Sequence, residues 1–446
     1  MNGPSWAGSS AYVHPSLLAS HLEAFANAHA PIGSPSTNSR PRSAPNTNSS
    51  SLSTPSQTTH NGGPGGPGAA ASTSSLSSSP PAPPDYVAKP FTRINDRTYF
   101  RDPENPYPLP CDLPEIHRQS LRTMTLIRVF GTPYCAPQLK DKRPKKVLEL
   151  ACGSGLWSHA CHDYFLEHDV GSPKSPKDTS KDDSNTTSFT GLDIVAIAPN
   201  LRKKGVNWQF VRHDIRKPTL PFPSEHFDFV FIKDAGLCQS ATAQQIDLLG
   251  EPLRVLKRGG ILEVWDSDHV FRALLPNPTA PPNLSKKDQN HADATATYTI
   301  SSATPFAAAQ NKYLLNYNSW IEKAFEKRKL TPMPCATIGL SFTTEADAFQ
   351  SSGSRRIAIP LGAEVRWEQT SGRGKLNADQ LALRHTALTT TIQMIEGMEP
   401  MLMEASGKSR DEWDRWWAAM TTDLLQKNGL ANGECLEVGA WWGQKR

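Results

Sequence analysis

Glu149, Asp193, Asp214, Asp234 and Asp266 each stand at or near the end of an apolar run, and His269 follows three residues after the last of them. Carboxylates at such places accept hydrogen bonds from hydroxyls and amines, and an imidazole can take a proton near neutral pH. The first acid lies in "VLELACGSGLWS", Val147 to Ser158. There "VLEL" reads as a buried strand and "ACGSG" as a sharp turn, and Trp157 falls in the first turn of a helix. Gly153 and Gly155 lack a Cβ, so a ligand and a helix can approach the backbone closely. The spacing is not G-x-G-x-x-G, and no basic residue follows that could hold a phosphate. Nothing in the turn therefore calls for a pyrophosphate.

The elements that must carry these residues alternate. Strand-like runs are "KVLELA", "SFTGLDI", "WQFVRHD", "FDFVFIKD" and "GGILEVWD". A helical pattern from Glu115 to Phe130 precedes them, and the helix-like run "ATAQQIDLLGEPLRVLK" lies between the last two. Apolar strands alternating with helices predict a parallel sheet covered on both faces. The expected fold class is α/β with a doubly wound core. Two later strand candidates, "SRRIAIPLG" and "GECLEVGAWWGQK", are expected to join the edge of that sheet. They would complete a mostly parallel, seven-stranded sheet. Helical runs between them, one with Ser409 as a candidate N-cap, predict a helical cap near 375–428.

Residues 1–85 are rich in Ser, Pro, Thr, Asn, Gly and Ala and cannot bury enough apolar area to offset their ordering entropy. A disordered tail is expected there. Residues 86–446 are expected to form one domain, with loop insertions near 171–188 and 275–309. A net charge of +4, from 47 basic and 43 acidic side chains, is too even for a nucleic-acid footprint. No run approaches ~18 apolar residues and the N-terminus lacks an apolar signal core, so neither a membrane span nor a signal peptide is expected. The run Ser16 to Ala30 is weakly amphipathic but carries no Arg, which argues against a mitochondrial address. The seven cysteines are scattered and never spaced C-x-x-C, which fits reduced thiols rather than a zinc site or a disulfide framework. "KDKRPKK", Lys140 to Lys146, reads as a nuclear address or as a solvated basic edge, so cytoplasm and nucleus both stand.

"ELACGSG" resembles the first motif of class I S-adenosylmethionine-dependent methyltransferases, E/D-x-G-x-G-x-G, with Ala151 in place of the first glycine. The resemblance implies a Rossmann-like methyltransferase fold with S-adenosylmethionine as cofactor. It implies that Gly153 and Gly155 pass beside the methionine part, with Glu149 holding the turn. Asp193 in "FTGLDI" fits the family's acid for the ribose hydroxyls. It lies 38 positions after Gly155, where about 20 is usual, and the low-complexity patch from Gly171 supplies the excess. Asp214 in "VRHDI", with Ile215 beside it, fits the acid that accepts from the adenine amino group. "PFPSEHFDFVFIKDA" resembles the fourth motif, and "EPLRVLKRGGILEV" the helix, turn and strand that follow. A narrower resemblance precedes the core. "DRTYFRDPENPYPLPCDLPEIHRQSLR" is similar to the upstream segment of LaeA-like fungal methyltransferases, with Tyr99, Tyr107, Pro110, Asp112, Glu115 and Arg118 matching. The Gln-His pair usual there is replaced by Arg122 and Thr123.

Methyl transfer is an in-line displacement at a sulfonium carbon, so acceptor-side residues belong at the carboxyl ends of the fourth and fifth strands. Lys233, Asp234 and Cys238 stand at one end, and Asp266, Asp268 and His269 at the other. His269 is the first candidate for a general base, with Asp234 and Asp266 next; a polar rim without catalytic protons is the alternative. Three adjacent candidates cannot all face one ion, so no metal site is expected. The expected activity is methyl transfer to a small-molecule or protein acceptor. The competing reading is a regulatory scaffold that binds a protein partner through its tail and cap. A nucleic-acid acceptor ranks lower, because the fourth strand lacks N/D-P-P-Y/F/W and no basic-aromatic stripe stands out. Trp413, Trp416 and Trp417 are expected to pack the cap.

Overall fold

The computed structural model describes residues 89–446, apart from 102–106, 141, 169–185, 218, 239–247, 283, 371–374 and 427. The tail expected over 1–85, and the insertion near 171–188 as far as residue 185, lie outside the described residues. A hairpin of β1 (Phe91–Ile94) and β2 (Arg97–Phe100) leads to helix α1 (Leu113–Phe130). Asp112 caps α1 by accepting from the amide of Glu115, and the same carboxylate takes a two-pronged hydrogen bond from Arg97 of β2. The cap thus fixes hairpin and helix together.

The alternating segment folds as β3 (Lys146–Leu150), α2 (Leu156–Glu167), β4 (Ser188–Asp193), β5 (Trp208–Arg212), β6 (Phe227–Lys233), α3 (Gly250–Val255) and β7 (Leu256–Ser267). Then come β8 (Arg272–Leu274), α4 (Lys286–Thr295), β9 (Tyr298–Ile300), β10 (Phe306–Ala308), α5 (Lys312–Arg328) and α6 (Pro334–Thr344). The remainder is β11 (Phe349–Pro360), α7 (Arg366–Thr370), α8 (Ala378–Gly397), α9 (Glu399–Ser406), α10 (Arg410–Leu425) and β12 (Glu434–Lys445).

The long strands lie in the order β5-β4-β3-β6-β7-β12-β11. The first five run parallel, β12 is antiparallel to β7, and β11 is antiparallel to β12. The result is a Rossmann-like α/β sheet, mostly parallel, with the two late strands at its edge as expected. The chain starts this sheet in the middle, at β3, and winds outward both ways. A crevice opens at the carboxyl ends of β3, β4 and β6, where the winding reverses.

Among the described residues the sheet has ten strands rather than seven, because β8, β9 and β10 extend its edge. They fall around the segment 275–309, expected as a loop, which also carries α4, capped by Ser285. Strands of three residues are too short to show an alternation of side chains, so their pattern is invisible in sequence.

Alternate residues of the core strands enter two apolar layers. Val147, Phe229, Phe231 and Trp265 face one, with Trp157 and Phe130; Leu148, Val230, Ile232 and Val264 face the other, with Ile338 and Phe342. Trp157, which resumes the chain after the glycine turn, stacks on Phe231 with ring centroids 3.7 Å apart and donates to the Pro133 carbonyl. In the cap, Trp413 and Trp416 of α10 are buried against Trp320 of α5. Among the described residues no helix is long and apolar enough to cross a membrane.

Candidate functional site

The turn after β3 forms the floor of the crevice. Ala151, Gly153 and Gly155 all adopt left-handed backbone, with φ of +52°, +49° and +69°. A Cβ on Gly153 would come within 2.5 Å of the Gln119 Oε1, the movable end of a side chain on α1, and the left-handed backbone there would strain any residue but glycine. Gly155 is the N-cap of α2 and packs toward Ala198 and Leu201; it does not line the cavity. Ala151, where the family pattern has glycine, carries the left-handed strain that glycine would avoid.

Three carboxylates surround the turn. Glu149 is fully buried and accepts from the Ser158 hydroxyl at 2.6 Å; burial pushes it up to about 8. Asp193 accepts from the amides of Gly153 at 2.8 Å and Ile194 at 2.7 Å, which ties the end of β4 to the glycine turn. Burial still raises its pKa against those amides. Its Oδ2, with one amide partner, retains room for a hydroxyl. Asp214 is gripped by Arg216, from Nε at 2.9 Å and Nη2 at 2.7 Å. Burial opposes its charge, but Arg216 outweighs it and holds the carboxyl below the usual range. Glu149, Ala151, Gly153, Asp193, Asp214 and Ile215 all line one cavity.

The far wall comes from β6, β7 and α1. Asp234 follows β6 in left-handed backbone, and its carboxylate is paired with Arg122 of α1 at 2.7 Å and with Lys233 at 2.8 Å. Burial works against the charge, yet these two cations hold it well below the usual carboxylate range. It is a fixed anion and a poor proton acceptor. Asp266 accepts from the amides of Gly236 and Ser267, both at 2.8 Å, and does not line the cavity. Burial and the Asp234 charge push it up to about 7. Asp268 turns a third way, accepting from the Cys335 amide. Asp266 is held by the Gly236 turn and Asp268 lies beyond the end of β7, so the strand does not align the two.

His269 does enter the cavity. It is buried, its ring packs edge-on to Phe325, and neither ring nitrogen has a hydrogen-bond partner. Burial, with Arg122 nearby, lowers it to about 3, so the imidazole is neutral at pH 7. One nitrogen then accepts and the other donates.

Sequence reasoning missed four groups of lining residues. Arg118, Gln119, Arg122 and Thr123 lie on one face of α1 at the i, i+1, i+4, i+5 spacing that a helix brings together, a signal the sequence did carry. Tyr107 and Leu109 precede that helix, and Met394 reaches in from α8. His213, one residue before Asp214, presents a buried Nε2 without a partner.

These residues fit an S-adenosyl group. A cradle without side chains, an acid that keeps an open acceptor oxygen, and two unpartnered imidazole edges suit a molecule with an amino-acid end, hydroxyls and a heterocycle. Burial raises the Cys238 thiol well above its ordinary value, which leaves it no nucleophile.

Residues 148–264 match the family model described as a methyltransferase domain. Comparison with curated proteins returns no match. Among solved structures, the YcgJ protein from Bacillus subtilis is 16% identical over 74% of this chain and 99% of its own, with a TM-score of 0.33. A phosphoethanolamine N-methyltransferase from Haemonchus contortus, solved with phosphomonomethylethanolamine and S-adenosylhomocysteine, is 12% identical over 73% of this chain and 58% of its own, with a TM-score of 0.32. Scores this low leave the fold resting on the strand order itself. The strand order, the glycine cradle and the domain match together support a class I S-adenosylmethionine-dependent methyltransferase.

Proposed function

We propose that the chain transfers a methyl group from S-adenosylmethionine to a small-molecule acceptor bound between α1, the ends of β6 and β7, and α8. The observation that carries this reading is one cavity with the Gly153 turn and Asp193 on one side and His269 on the other. When bound, the cofactor supplies a methyl group on a sulfonium. Asp193 accepts the ribose hydroxyls, Asp214 and His213 take the adenine end, and Glu149, protonated at neutral pH, holds the turn without adding charge.

His269 receives the acceptor's proton. A hydroxyl oxygen that has just gained a methyl is a strong acid, so even an imidazole lowered to about 3 takes its proton. The positive charge passes to the imidazole, and the net charge of the site stays constant. Asp234 and Asp266 act on position only: Asp234 anchors Arg122, and Asp266 holds the Gly236 turn. We also read the chain as a relative of LaeA-like fungal methyltransferases. The matching residues of the upstream segment support this by their placement: Arg118 makes a fork with Glu115, and the Tyr99 hydroxyl donates to the Gly397 carbonyl.

Calorimetric titration of the full chain with S-adenosylmethionine and S-adenosylhomocysteine tests the reading. Micromolar binding is expected, weakened about tenfold or more by Asp193→Ala and lost in Gly153→Arg, which would fill the cradle. His269→Ala is expected to leave cofactor affinity intact and to lower kcat about 100-fold once an acceptor is in hand. Folded protein that binds neither molecule would replace this reading with the scaffold one.

A further inference from the structure

The largest crevice of the described residues lies elsewhere and shares no lining residue with the cavity above. On one flank β11 meets the end of α1 and the start of α4. Arg355 of β11 donates from Nη1 to the Phe130 carbonyl at 2.9 Å, and Asp288 lies 3.4 Å from the same nitrogen. Those contacts use one end of the guanidinium. Its Nε and Nη2 are buried and have no hydrogen-bond partner.

That edge is chemically specific. The Nε and Nη2 N–H groups point the same way and match two oxygens of a carboxylate or phosphate. The Thr299 hydroxyl lines the same crevice, and its oxygen is likewise buried and without a partner. Thr299 pairs with Ile357 across β9 and β11, so it is the diagonal, same-face neighbour of Arg355, within reach of a long side chain. The crevice is lined by seven Arg and Lys against four Asp and Glu, which favours an anion. Buried donors left unpaired are costly, so three on one face need an occupant. A single water cannot satisfy two parallel N–H donors and a hydroxyl as well as a three-cornered oxyanion does.

We propose that Arg355 and Thr299 form a small-oxyanion site, separate from the methyl-transfer cavity, that takes the carboxylate or phosphate group of a ligand. The test is calorimetric titration of the full chain with inorganic phosphate and, separately, with acetate. Ionic strength is held constant with chloride. Saturable binding of at least one anion is expected. Arg355→Lys, which keeps the charge and loses the fork, should weaken it about tenfold or more. Thr299→Val should weaken it severalfold. Saturation by phosphate alone assigns a phosphate-bearing ligand, and saturation by acetate alone a carboxylate; either supports the site.

Two results overturn the proposal. One is no saturable binding to the unmodified chain beyond the chloride control. The other is binding unchanged in both variants. A site that takes no occupant implies the first result, together with a higher Tm for Thr299→Val, which then merely removes an orphaned hydroxyl. Because Thr299→Val breaks no hydrogen bond, it keeps the test readable if Arg355→Lys loosens the end of α1.

Discussion

Glu149 shows what burial does to a single group. Its folded value of about 8 exceeds the unfolded value, so between the two the folded chain holds a proton that the unfolded chain has lost. Stability from this group is full below its unfolded pKa and falls as pH rises toward about 8. Glu149→Gln cannot ionise and preserves the shape beside Ser158. Thermal denaturation across about pH 5 to 8 should show a flatter decline for this variant than for the unmodified chain; parallel curves would place the shift elsewhere. Ala151 offers a second test. Its left-handed backbone costs about 1–2 kcal/mol, which glycine avoids, while glycine adds about 0.4–1 kcal/mol of unfolded freedom. Ala151→Gly should therefore stabilise by up to about 1.6 kcal/mol in urea denaturation.

Between elements, the ion pair of Arg122 and Asp234 joins α1 to the end of β6. Both side chains are largely buried, so removing one leaves the other desolvated and unpaired. Asp234→Asn should cost about 3 kcal/mol. Combined with Arg122→Met, the loss should be smaller than the sum of the two single losses, which a double-mutant cycle measures. Additive losses would show that the pair is not coupled. The same elements explain what was legible. "FTGLDI" marked Asp193 because an acid closing an apolar run stands out in any sequence, even behind an insertion. Arg122 shared a legible helix face with Arg118, but nothing local says that residue 122 meets residue 234. Asp266 reads like Asp193 in sequence, yet the chain folds Gly236 over it and takes it out of the cavity.

At the scale of the whole molecule, the cap is bolted to the body. Arg384 of α8 is fully buried and makes a two-pronged pair with Glu368, at 2.9 and 2.7 Å, while donating to the carbonyls of Ala296 and Gly362. One guanidinium thus ties α8 to α7, the loop after β11 and the end of α4. Arg384→Met strands a buried carboxylate and should cost about 3–5 kcal/mol, with Met394 losing its place in the cavity. Chemical denaturation and cofactor titration of the same variant would read both effects. Loss of stability without any change in binding would mean that the cap does not shape the site.

Taken alone, the sequence determined the core of the sheet, because short apolar runs and a glycine turn are local properties that a dozen residues display. It also determined which acids end the strands. The tertiary structure alone decided which of those acids face the cavity, which helix covers them, and that three short strands widen the sheet. Those outcomes depend on contacts between residues more than a hundred positions apart, such as Arg122 with Asp234 and Cys135 with Glu263. Local periodicity says that a face will be buried; only packing says what buries it.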